Sequence, residues 1–256
     1  MGVVNVTPDS FSDGGRYLDA DAAIAHGEKL VSDGAEILDV GGESTRPGAE
    51  PVEWEEEMGR VEPVVVGLAG KATISVDTSK AAVAIAAIEA GASIVNDVTA
   101  LRGDLEMAPV CAEHGVDVVL MHMPGSPRTM QADPRYEDVV GEVKGFLSER
   151  LEFAVAMGIA EERIWLDPGI GFGKTLEHNL ELLRRLGELR ELGRPLVIGT
   201  SRKSFIGRID GSEVGDRLGG TIASSVLAAA EGADVLRVHD VAETAQAIKV
   251  AEAVLG

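Results

Sequence analysis

One segment of the chain places a single carboxylate between an apolar run and a glycine-rich turn. Ile164–Leu166 is the apolar run, Asp167 follows it directly, and Pro168 ends the strand that the run predicts. Three alternating glycines then surround Phe172 and precede Lys174. A buried strand that ends in an acid and a pliable loop is a common way for an α/β enzyme to present a side chain to a ligand. We therefore interpret Asp167 as a candidate ligand-binding carboxylate.

The glycine-rich turn fits some familiar motifs better than others. A tight turn between a strand and a helix, with an incidental carboxylate, stays open at this point. A phosphate-binding P-loop does not fit, because Pro168 stands where that loop needs a glycine and lacks the N–H group that would hold a phosphate. The glycine spacing also departs from the dinucleotide-binding fingerprint. We expect the glycines to give clearance beside a flat ring instead.

Polar residues also follow the other apolar runs of the chain. The set comprises Asn5, Asp39, Asp77, Asn96, Asp97, His122, Asp167, Thr200, Ser201, Arg237, His239 and Asp240. A polar residue at one strand end would be unremarkable, but amides, carboxylates and cations at every end predict a site. We expect two members of the set, Asp97 and Asp240, to cap helices instead of binding a ligand. The same role is expected for Thr78, which follows Asp77.

A recurring short pattern indicates the elements that position these residues. A glycine that can end a helix is followed at once by a short β-branched strand. The pattern occurs at Gly34–Val40, Gly91–Asp97, Gly115–Met121 and Gly232–Val238, and further strands are predicted at Val3–Val6, Thr73–Val76, Ile164–Leu166 and Leu196–Ile198. Helical patterns lie between the strands, at Asp21–Ser32, Ser79–Glu89, Leu105–Glu113, Asp138–Met157, Leu176–Leu189, Asp216–Glu231 and Val241–Leu255.

Eight such units in 256 residues predict an α/β fold of the (β/α)8 TIM barrel type. An open doubly wound sheet is the alternative, which the apolar strands alone do not exclude. No linker divides the chain, so we expect residues 1–256 to form one domain. The first strand already includes Gly2, and we expect a short N-terminal segment that covers the lower mouth of the barrel to precede this sequence.

Composition narrows the class of protein. Hydrophobic residues make up 45% of the chain but aromatic residues only 4%, which suits an aliphatic core of helices packed on a parallel sheet. The single cysteine, Cys111, excludes an internal disulfide and fits a reducing compartment. The sequence has neither a run long enough to span a membrane nor a signal peptide. We therefore expect a cytoplasmic protein with no membrane partner.

The acidic balance of the chain restricts its partners. A formal net charge of −20 argues against nucleic acid, because phosphate backbones are bound by basic surfaces. We interpret the acidic run Glu53–Glu57 as a solvated face at the start of a helix. An anionic substrate would need a local basic island, for which the candidates are Arg46, Arg202, Lys203, Arg237 and His239.

Several long segments resemble the signature motifs of the dihydropteroate synthase family. The three longest are Asn5–Gly15, Asp39–Gly48 and Asp167–Lys174. Shorter matches follow in the family's order at Ser75–Thr78, Val95–Val98, Ser201–Phe205 and Arg237–His239. The resemblance covers essentially the whole chain. It implies a TIM-barrel transferase that joins 6-hydroxymethyl-7,8-dihydropterin diphosphate to p-aminobenzoate, with Mg²⁺, and releases 7,8-dihydropteroate and diphosphate.

The resemblance also assigns site residues. For the pterin it implies Asp77, Asn96, Met121, Asp167, Phe172, Lys203 and Arg237. For the diphosphate it implies Asn5, Thr45, Arg46, Arg237 and His239, with Asn5 as the Mg²⁺ ligand. For p-aminobenzoate it implies Phe11, Thr45, Pro47, Phe172, Lys203 and Ser204. The implied catalytic residues are Asn5, Lys203, Arg237 and His239, while Asp39 is expected to shape the barrel floor or the water shell of the metal.

Two other functions use the same kind of pocket. A pterin-binding methyltransferase of the related barrel family would share the acidic and amide groups, but it would lack the Ser201–Ser204 loop and the pair Arg237 and His239. A non-catalytic pterin-binding module should have lost one of the charged motif residues, and none is missing here. The resemblance also suggests a homodimer formed through the last three helices, and inhibition by sulfonamides, which mimic p-aminobenzoate.

Overall fold

The structure is a computed structural model that describes residues 1–7, 20–45 and 49–255. Eight strands alternate with helices over this part of the chain. The strands are β1 (Gly2–Asn5), β2 (Ile37–Gly41), β3 (Thr73–Asp77), β4 (Ile94–Asp97), β5 (Asp117–Met121), β6 (Ile164–Asp167), β7 (Val197–Ile198) and β8 (Val235–Leu236). The first six pair in parallel in chain order, and β7 pairs in parallel with β8.

Two further contacts close these strands into a barrel. A parallel bridge joins Leu166 of β6 to Leu196, next to β7, and Leu166 N donates to the carbonyl of Pro195 at 2.9 Å. A second parallel bridge joins Gly2 of β1 to Val238, just after β8. Every strand therefore has two neighbours. The predicted (β/α)8 barrel is confirmed, and an open doubly wound sheet, which has two free edges, is excluded for the described strands.

The helices surround this barrel. They are α1 (Ala20–Ser32), α2 (Trp54–Leu68), α3 (Ala81–Ala90), α4 (Met107–His114), α5 (Val139–Ala156), α6 (Leu176–Arg184), α7 (Ser204–Asp210), α8 (Leu218–Ala230) and α9 (Val241–Leu255). The main core lies between them and the outward side chains of the strands, such as Leu38, Val118 and Leu166, which are wholly buried. None of the helices in the described ranges is both long and apolar enough to cross a bilayer.

Several helix predictions differ from the structure. The pattern over Leu176–Leu189 divides into α6 and a 3₁₀ segment, Leu186–Leu192. Gly187 lies at this change, and glycine is a poor former of α-helix. The helices predicted from Ser79, Leu105 and Asp216 each begin two residues later, at Ala81, Met107 and Leu218, and no range was predicted for α2 or α7.

A second apolar cluster fills the inside of the barrel. Its buried members are Ile94, Val119 and Val197, and three partly buried side chains pack against them, Ile37, Trp165 and Val235. Successive side chains of a strand point to opposite faces, so these residues alternate with the outward residues of the main core. The cluster closes the lower part of the barrel, and any ligand must enter from the opposite mouth.

The turn after β6 packs directly against the chain that follows β5. Gly169 has φ of +67°, and a Cβ atom there would lie 2.0 Å from the carbonyl oxygen of His122. At Gly173 a Cβ would lie 2.2 Å from Cγ of Pro124. The clearance that these two glycines provide is therefore for the neighbouring loop and not, as we expected, for a ring. Of the three glycines in this turn, only Gly171 would bring a Cβ against a proposed site residue, 3.0 Å from Cδ of Lys203.

Gly169→Ala should therefore destabilise the protein more than the same change at Gly193. Both glycines have φ of +67°, but no atom lies within 4 Å of a Cβ built at Gly193. Gly193→Ala should cost about 1–2 kcal/mol for the left-handed backbone. Gly169→Ala should cost about 1–3 kcal/mol more, because the backbone of His122 must move. Urea unfolding of the two variants measures the difference, and equal destabilisation would contradict the close approach at Gly169.

Candidate active site

Most side chains that point into the upper half of the barrel are polar. Each follows an inward-pointing apolar residue by two positions, which is the period of a β-strand. Ile37, in the apolar cluster, is followed two positions later by Asp39, and Ile94 is likewise followed by Asn96. The same step leads from cluster members to the other inward groups at this mouth, Met121, Asp167 and Arg237. The register of the parallel strands then sets how far along the barrel axis each of these side chains lies. Met121 and Asp167, for example, are paired on β5 and β6 and lie at the same level.

Asp39 is the acceptor at the centre of this polar layer. Its side chain is wholly buried. Ser75 Oγ donates to Asp39 Oδ1 at 2.7 Å. Asn96 Nδ2 at 3.1 Å and Arg237 Nε at 2.6 Å both donate to Oδ2. Asp39 therefore holds groups from β3, β4 and the end of β8, and lies below the mouth as expected for a residue of the barrel floor.

Arg237 connects this layer to the mouth. Its Nη2 donates to Asp77 Oδ2 at 2.8 Å, so one guanidinium binds two carboxylates. Burial raises the pKa of Asp77 to about 7, and nearby Asp39 adds to the rise, although the Arg237 cation opposes it. Burial alone would lower the pKa of Arg237, but Asp39 and Asp77 outweigh it and raise that pKa. Arg237 therefore stays protonated, whereas Asp77, with a pKa of about 7, is divided between its protonated and ionised forms at neutral pH.

Asp167 and Lys203 form the opposite side of the mouth. The backbone N–H of Gly169 donates to Asp167 Oδ1 at 2.7 Å, which fixes the carboxylate at the start of the turn. Burial raises the pKa of Asp167, against the influence of this hydrogen bond and of Lys203. Burial lowers the pKa of Lys203 to about 8, and Asp167 opposes that change. Perturbed groups of opposite sign in one concavity are typical of functional sites.

Apolar side chains form one wall beside these charges. Met121 is buried in a small cluster with Val98, Met123 and Met130, and Phe172 packs against this cluster. The ammonium of Lys203 lies 4.0 Å from the centre of the Phe172 ring, a cation–π contact. Phe172 is thus fixed between the methionines and Lys203. A flat ligand at this wall could stack while Asp167 and Lys203 bind its polar edge.

His239 lies at the mouth of the barrel, between the ends of β7 and β8. Its Nδ1 is 2.9 Å from Oγ of Ser201, which also accepts a hydrogen bond from the His239 backbone N–H at 3.2 Å. Burial lowers the pKa of His239 to about 3, and the cation of Arg237 adds to this effect. The imidazole is therefore neutral at pH 7. It can donate one hydrogen bond to an anion without carrying a charge.

Three residues complete the described part of the set: Asn5, Thr45 and Ser204, the last of which is exposed at the start of α7. Asn5 ends β1 and pairs with Gly41, which in turn pairs with Asp77, so the three lie side by side on adjacent strands. Asn5 and Thr45 are both half-buried, and Thr45 lies in the loop after β2. The remaining predicted site residues, Phe11, Arg46 and Pro47, lie outside the described residues.

Lys174 has a role that the sequence did not reveal. Its side chain is only 1% exposed, and Nζ lies 3.0 Å from His122 Nδ1 and donates to the Phe172 carbonyl at 2.9 Å. Burial lowers the pKa of Lys174 to about 7. This lysine binds the turn that carries Phe172 to the end of β5. The only sequence feature that could have indicated this role is that Lys174 directly follows a glycine-rich turn. That feature is equally compatible with a solvent-exposed lysine.

The acidic run at the start of α2 differs in part from the solvated face that we expected. Glu53, Glu55 and Glu56 are exposed, but Glu57 is wholly buried and contacts Lys80. The solvated-face interpretation is therefore wrong at Glu57. Glu57 is one helical turn beyond Glu53, on the side of α2 that carries the buried Val61 and Val64. A helical period would have placed it there.

Of the three residues expected to cap helices, Asp97 and Thr78 fix turns instead, whereas Asp240 directly precedes α9 and its carbonyl accepts the N–H of Thr244 at 3.2 Å. Asp97 Oδ atoms accept the backbone N–H groups of Thr99 and Leu101, both at 2.8 Å, and so fix a turn after β4. Thr78 Oγ1 accepts from the Lys80 backbone in the turn before α3. Asp240 binds Nε and Nη2 of Arg202 at 3.1 and 2.5 Å. That ion pair joins the loop after β7 to the start of α9.

Comparisons with known proteins agree with this arrangement. A family model described as "Pterin binding enzyme" matches residues 1–239. Dihydropteroate synthase of Escherichia coli K12 is 49% identical over 100% of this chain and 91% of its own length.

Solved structures are similarly close. A dihydropteroate synthase of Xanthomonas albilineans with 4-aminobenzoic acid superposes with a TM-score of 0.94 at 49% identity, and covers 100% of this chain and 92% of its own. A Yersinia pestis dihydropteroate synthase in complex with a sulfonamide drug gives a TM-score of 0.95 at 45% identity, over 99% and 93% of the two chains. The chain therefore belongs to the pterin-binding enzyme family and, within it, to the dihydropteroate synthases.

Proposed function

We propose that this protein joins 6-hydroxymethyl-7,8-dihydropterin diphosphate to p-aminobenzoate in folate biosynthesis, giving 7,8-dihydropteroate and diphosphate. The observation that carries this proposal is the polar mouth of the barrel, where Arg237 binds Asp39 and Asp77 while Asp167 faces Lys203. This set offers acceptors and donors to a pterin edge on one side and cations to a leaving diphosphate on the other. The family membership of the chain supports the same reaction.

The pterin is proposed to lie between the acids and the apolar wall. Its adjacent N–H groups would donate to Asp167 and Asp77, with Asn96 beside them, and its acceptor side would face Lys203 and Arg237. Met121 and Phe172 would contact the faces of the ring, since both belong to the apolar wall. Donors of the ligand would favour the charged forms of the two acids, whose pKa values are raised by burial. A ring with a different edge would leave these buried groups unpaired.

The diphosphate is proposed to lie on the rim formed by β1, β2 and β8. Arg237 supplies the positive charge and neutral His239 a hydrogen bond, and Thr45 and Arg46 would add contacts from the loop after β2. Asn5 fits a Mg²⁺ ligand, because its half-buried amide lies at the mouth beside Gly41 and Asp77. Mg²⁺ commonly takes one or two protein oxygens and completes its shell with phosphate and water. When bound, the ion would neutralise charge on the diphosphate.

p-Aminobenzoate is proposed to bind nearest the solvent. Lys203 and Phe172, already in contact, would pack on its ring together with Phe11 and Pro47, and Thr45 would lie at the rim. Its carboxylate would meet Ser204, the exposed first residue of α7. A sulfonamide has the same flat aryl amine with an anionic group, so we expect it to compete for this position.

The mechanism we propose separates bond cleavage from bond formation. The C–O bond to diphosphate breaks first, with its charge stabilised by Arg237 and by a hydrogen bond from His239. The cation left at the methylene carbon is stabilised by the pterin ring, whose edge Asp167, Asp77 and Lys203 hold in place. The amine of p-aminobenzoate, neutral at pH 7, then attacks and loses a proton, so no strong base is required. The protein contributes mainly orientation and electrostatic stabilisation.

We also infer a homodimer that forms through the C-terminal helices. Exposed apolar side chains lie on α7, α8 and α9, among them Ile209, Leu227 and Val250, which are 59%, 63% and 60% exposed. A groove of about 490 Å³ between α6, α7 and α8 lies on the same side. Exposed apolar patches of this kind mark interfaces. We further infer that residues 1–256 act as one domain and that the protein works in the cytoplasm.

Diphosphate release tests the proposed reaction. Purified protein supplied with the dihydropterin diphosphate, p-aminobenzoate and Mg²⁺ should release diphosphate in step with 7,8-dihydropteroate. Chelation of Mg²⁺ should suppress turnover, and a sulfonamide should inhibit competitively with p-aminobenzoate. Absence of release with both substrates and the metal would refute the enzyme assignment, whereas release that ignores Mg²⁺ would remove the metal alone from the proposal.

Asp167→Asn should lower turnover by more than about tenfold. The amide replaces one acceptor oxygen with a donor, and a buried hydrogen bond to a charged group is worth about 1.5–3 kcal/mol. Asp104→Asn is the matched control, because Asp104 also accepts a backbone N–H, from Ala81 at 2.9 Å, but lies outside the polar mouth. Steady-state rates of both variants decide the matter. Turnover of Asp167→Asn within about tenfold of the wild type would show that Asp167 is not a pterin ligand.

Lys203→Ala should weaken pterin binding by about tenfold or more, since it removes a charged donor. The wild-type affinity should also fall as the pH rises from 7 to 9, because the pKa of Lys203 is about 8 and the neutral amine donates less strongly. Lys203→Ala has no ammonium to lose and should lack this fall, while any titration of the ligand affects both proteins. Calorimetry across this pH range measures both effects. Unchanged affinity in the variant would remove Lys203 from the pocket.

A further inference from the structure

An ion cluster ties the loop after β2 to two neighbouring elements. The ammonium of Lys80, which directly precedes α3, contacts the carboxylates of Glu43 and Glu57. Glu43 belongs to the loop after β2, and Glu57 belongs to α2. The side chain of Glu57 is 0% exposed, whereas those of Lys80 and Glu43 are 25% and 24% exposed. Ion pairs at this depth are screened less than surface pairs, so they hold their partners more firmly.

The same loop is packed against α2 at its root. Arg60 Nη1 of α2 donates to the carbonyl of Gly42 at 2.8 Å. A Cβ at Gly42 would lie 2.9 Å from Cγ2 of Val61 and 3.0 Å from the carbonyl oxygen of Glu57. Gly42 and Glu43 are therefore held by backbone packing, a hydrogen bond and an ion pair together. The first residues of the loop have little freedom to move away from α2.

The cluster lies between two groups of the proposed site without belonging to either. Thr45, at the diphosphate rim, follows Glu43 by two residues, and Asp77, at the pterin edge, precedes Lys80 by three. Resting on the proposed function, we propose that Glu43 is a positioning residue, which binds Lys80 and so holds Thr45 at a fixed place relative to Asp77. Glu43 acts through the loop and makes no contact with substrate.

The negative charge of Glu43 makes it possible to distinguish a positioning role from a direct electrostatic effect, because the two predict opposite changes in diphosphate affinity. A carboxylate near a bound diphosphate repels it, so its removal should by charge alone strengthen diphosphate binding. Loss of an anchor should weaken it. Glu43→Ala and Glu43→Gln remove the same negative charge, but only glutamine keeps an oxygen that can accept a hydrogen bond from Lys80. Lys80 itself is left intact, because its removal would leave the Glu57 carboxylate buried without a cation.

Calorimetry with two ligands separates the rim from the pterin pocket. The ligands are 6-hydroxymethyl-7,8-dihydropterin diphosphate and its parent alcohol, which has the pterin but no phosphate. Glu43→Ala should weaken binding of the diphosphate ester by about 3- to 30-fold, the range seen when a residue acts at a distance. Glu43→Gln should stay within about threefold of the wild type, because the anchor is kept. The alcohol should bind all three proteins equally.

Two outcomes would overturn the inference. Glu43→Ala could bind the diphosphate ester as tightly as the wild type or more tightly, or it could lose affinity for ester and alcohol alike. Glu28→Ala, which removes the exposed pair of Glu28 with Lys71 away from this loop, is the control and should leave both affinities unchanged. If the wild-type protein itself failed to bind the ester, the proposed function would be refuted. That result is distinguishable from a failure of the inference, because it is obtained without any Glu43 variant.

Discussion

The buried carboxylate of Asp39 is the interaction on which the mouth of the barrel depends. A fully buried charge is stable only when hydrogen bonds and an opposite charge compensate its lost hydration. Asp39 obtains both, from Ser75, Asn96 and Arg237, which come from β3, β4 and the end of β8. Because these partners must converge on one carboxylate, their own positions are fixed. The site above therefore has a rigid floor before any substrate arrives.

Burial disfavours the charged forms of the groups above that floor. The pKa values of Asp77 and Asp167 are raised and that of Lys203 is lowered, each mainly by burial. The charged forms of these groups lose hydration on burial, and interactions within the protein only partly compensate for that loss. A ligand that brings complementary donors and acceptors recovers this cost on binding. The selectivity of the pocket follows from the same imbalance, because a poorly matched ligand recovers none of it.

The sequence carried most of the fold. Helix-ending glycines before β-branched strands, repeated through the chain, predicted the order of elements, and the polar strand ends predicted the mouth. The closure of the barrel was not visible, because the bridges at Gly2 and Leu166 join segments far apart in the chain. Helix ends were less certain where a glycine such as Gly187 or a helix as short as α7 weakened the period.

The positions of the candidate site residues could be predicted for side chains that belong to strands, and much less well for side chains in the loops and helices beside them. Asp167 and Arg237 each stand two residues beyond an apolar inward residue, a regular step that strand geometry imposes. Lys174, Glu43 and Glu57 have no such regularity, since their partners are set by loops packed from different elements. Composition indicated a solvated acidic run, whereas packing buried one of its carboxylates. Tertiary contacts decide such cases, and local patterns do not.

The bridge between β1 and the end of β8 has a consequence for folding. Val3 N donates to the carbonyl of Val238 at 3.1 Å, and Val238 N donates to the carbonyl of Met1 at 3.0 Å. Arg237 reaches Asp39 across 198 residues of sequence. Contacts of such long range are slow to form, because the intervening chain must first be ordered. Because Arg237 belongs both to the proposed pterin pocket and to the proposed diphosphate rim, neither can be complete during synthesis until residues 237–239 have left the ribosome.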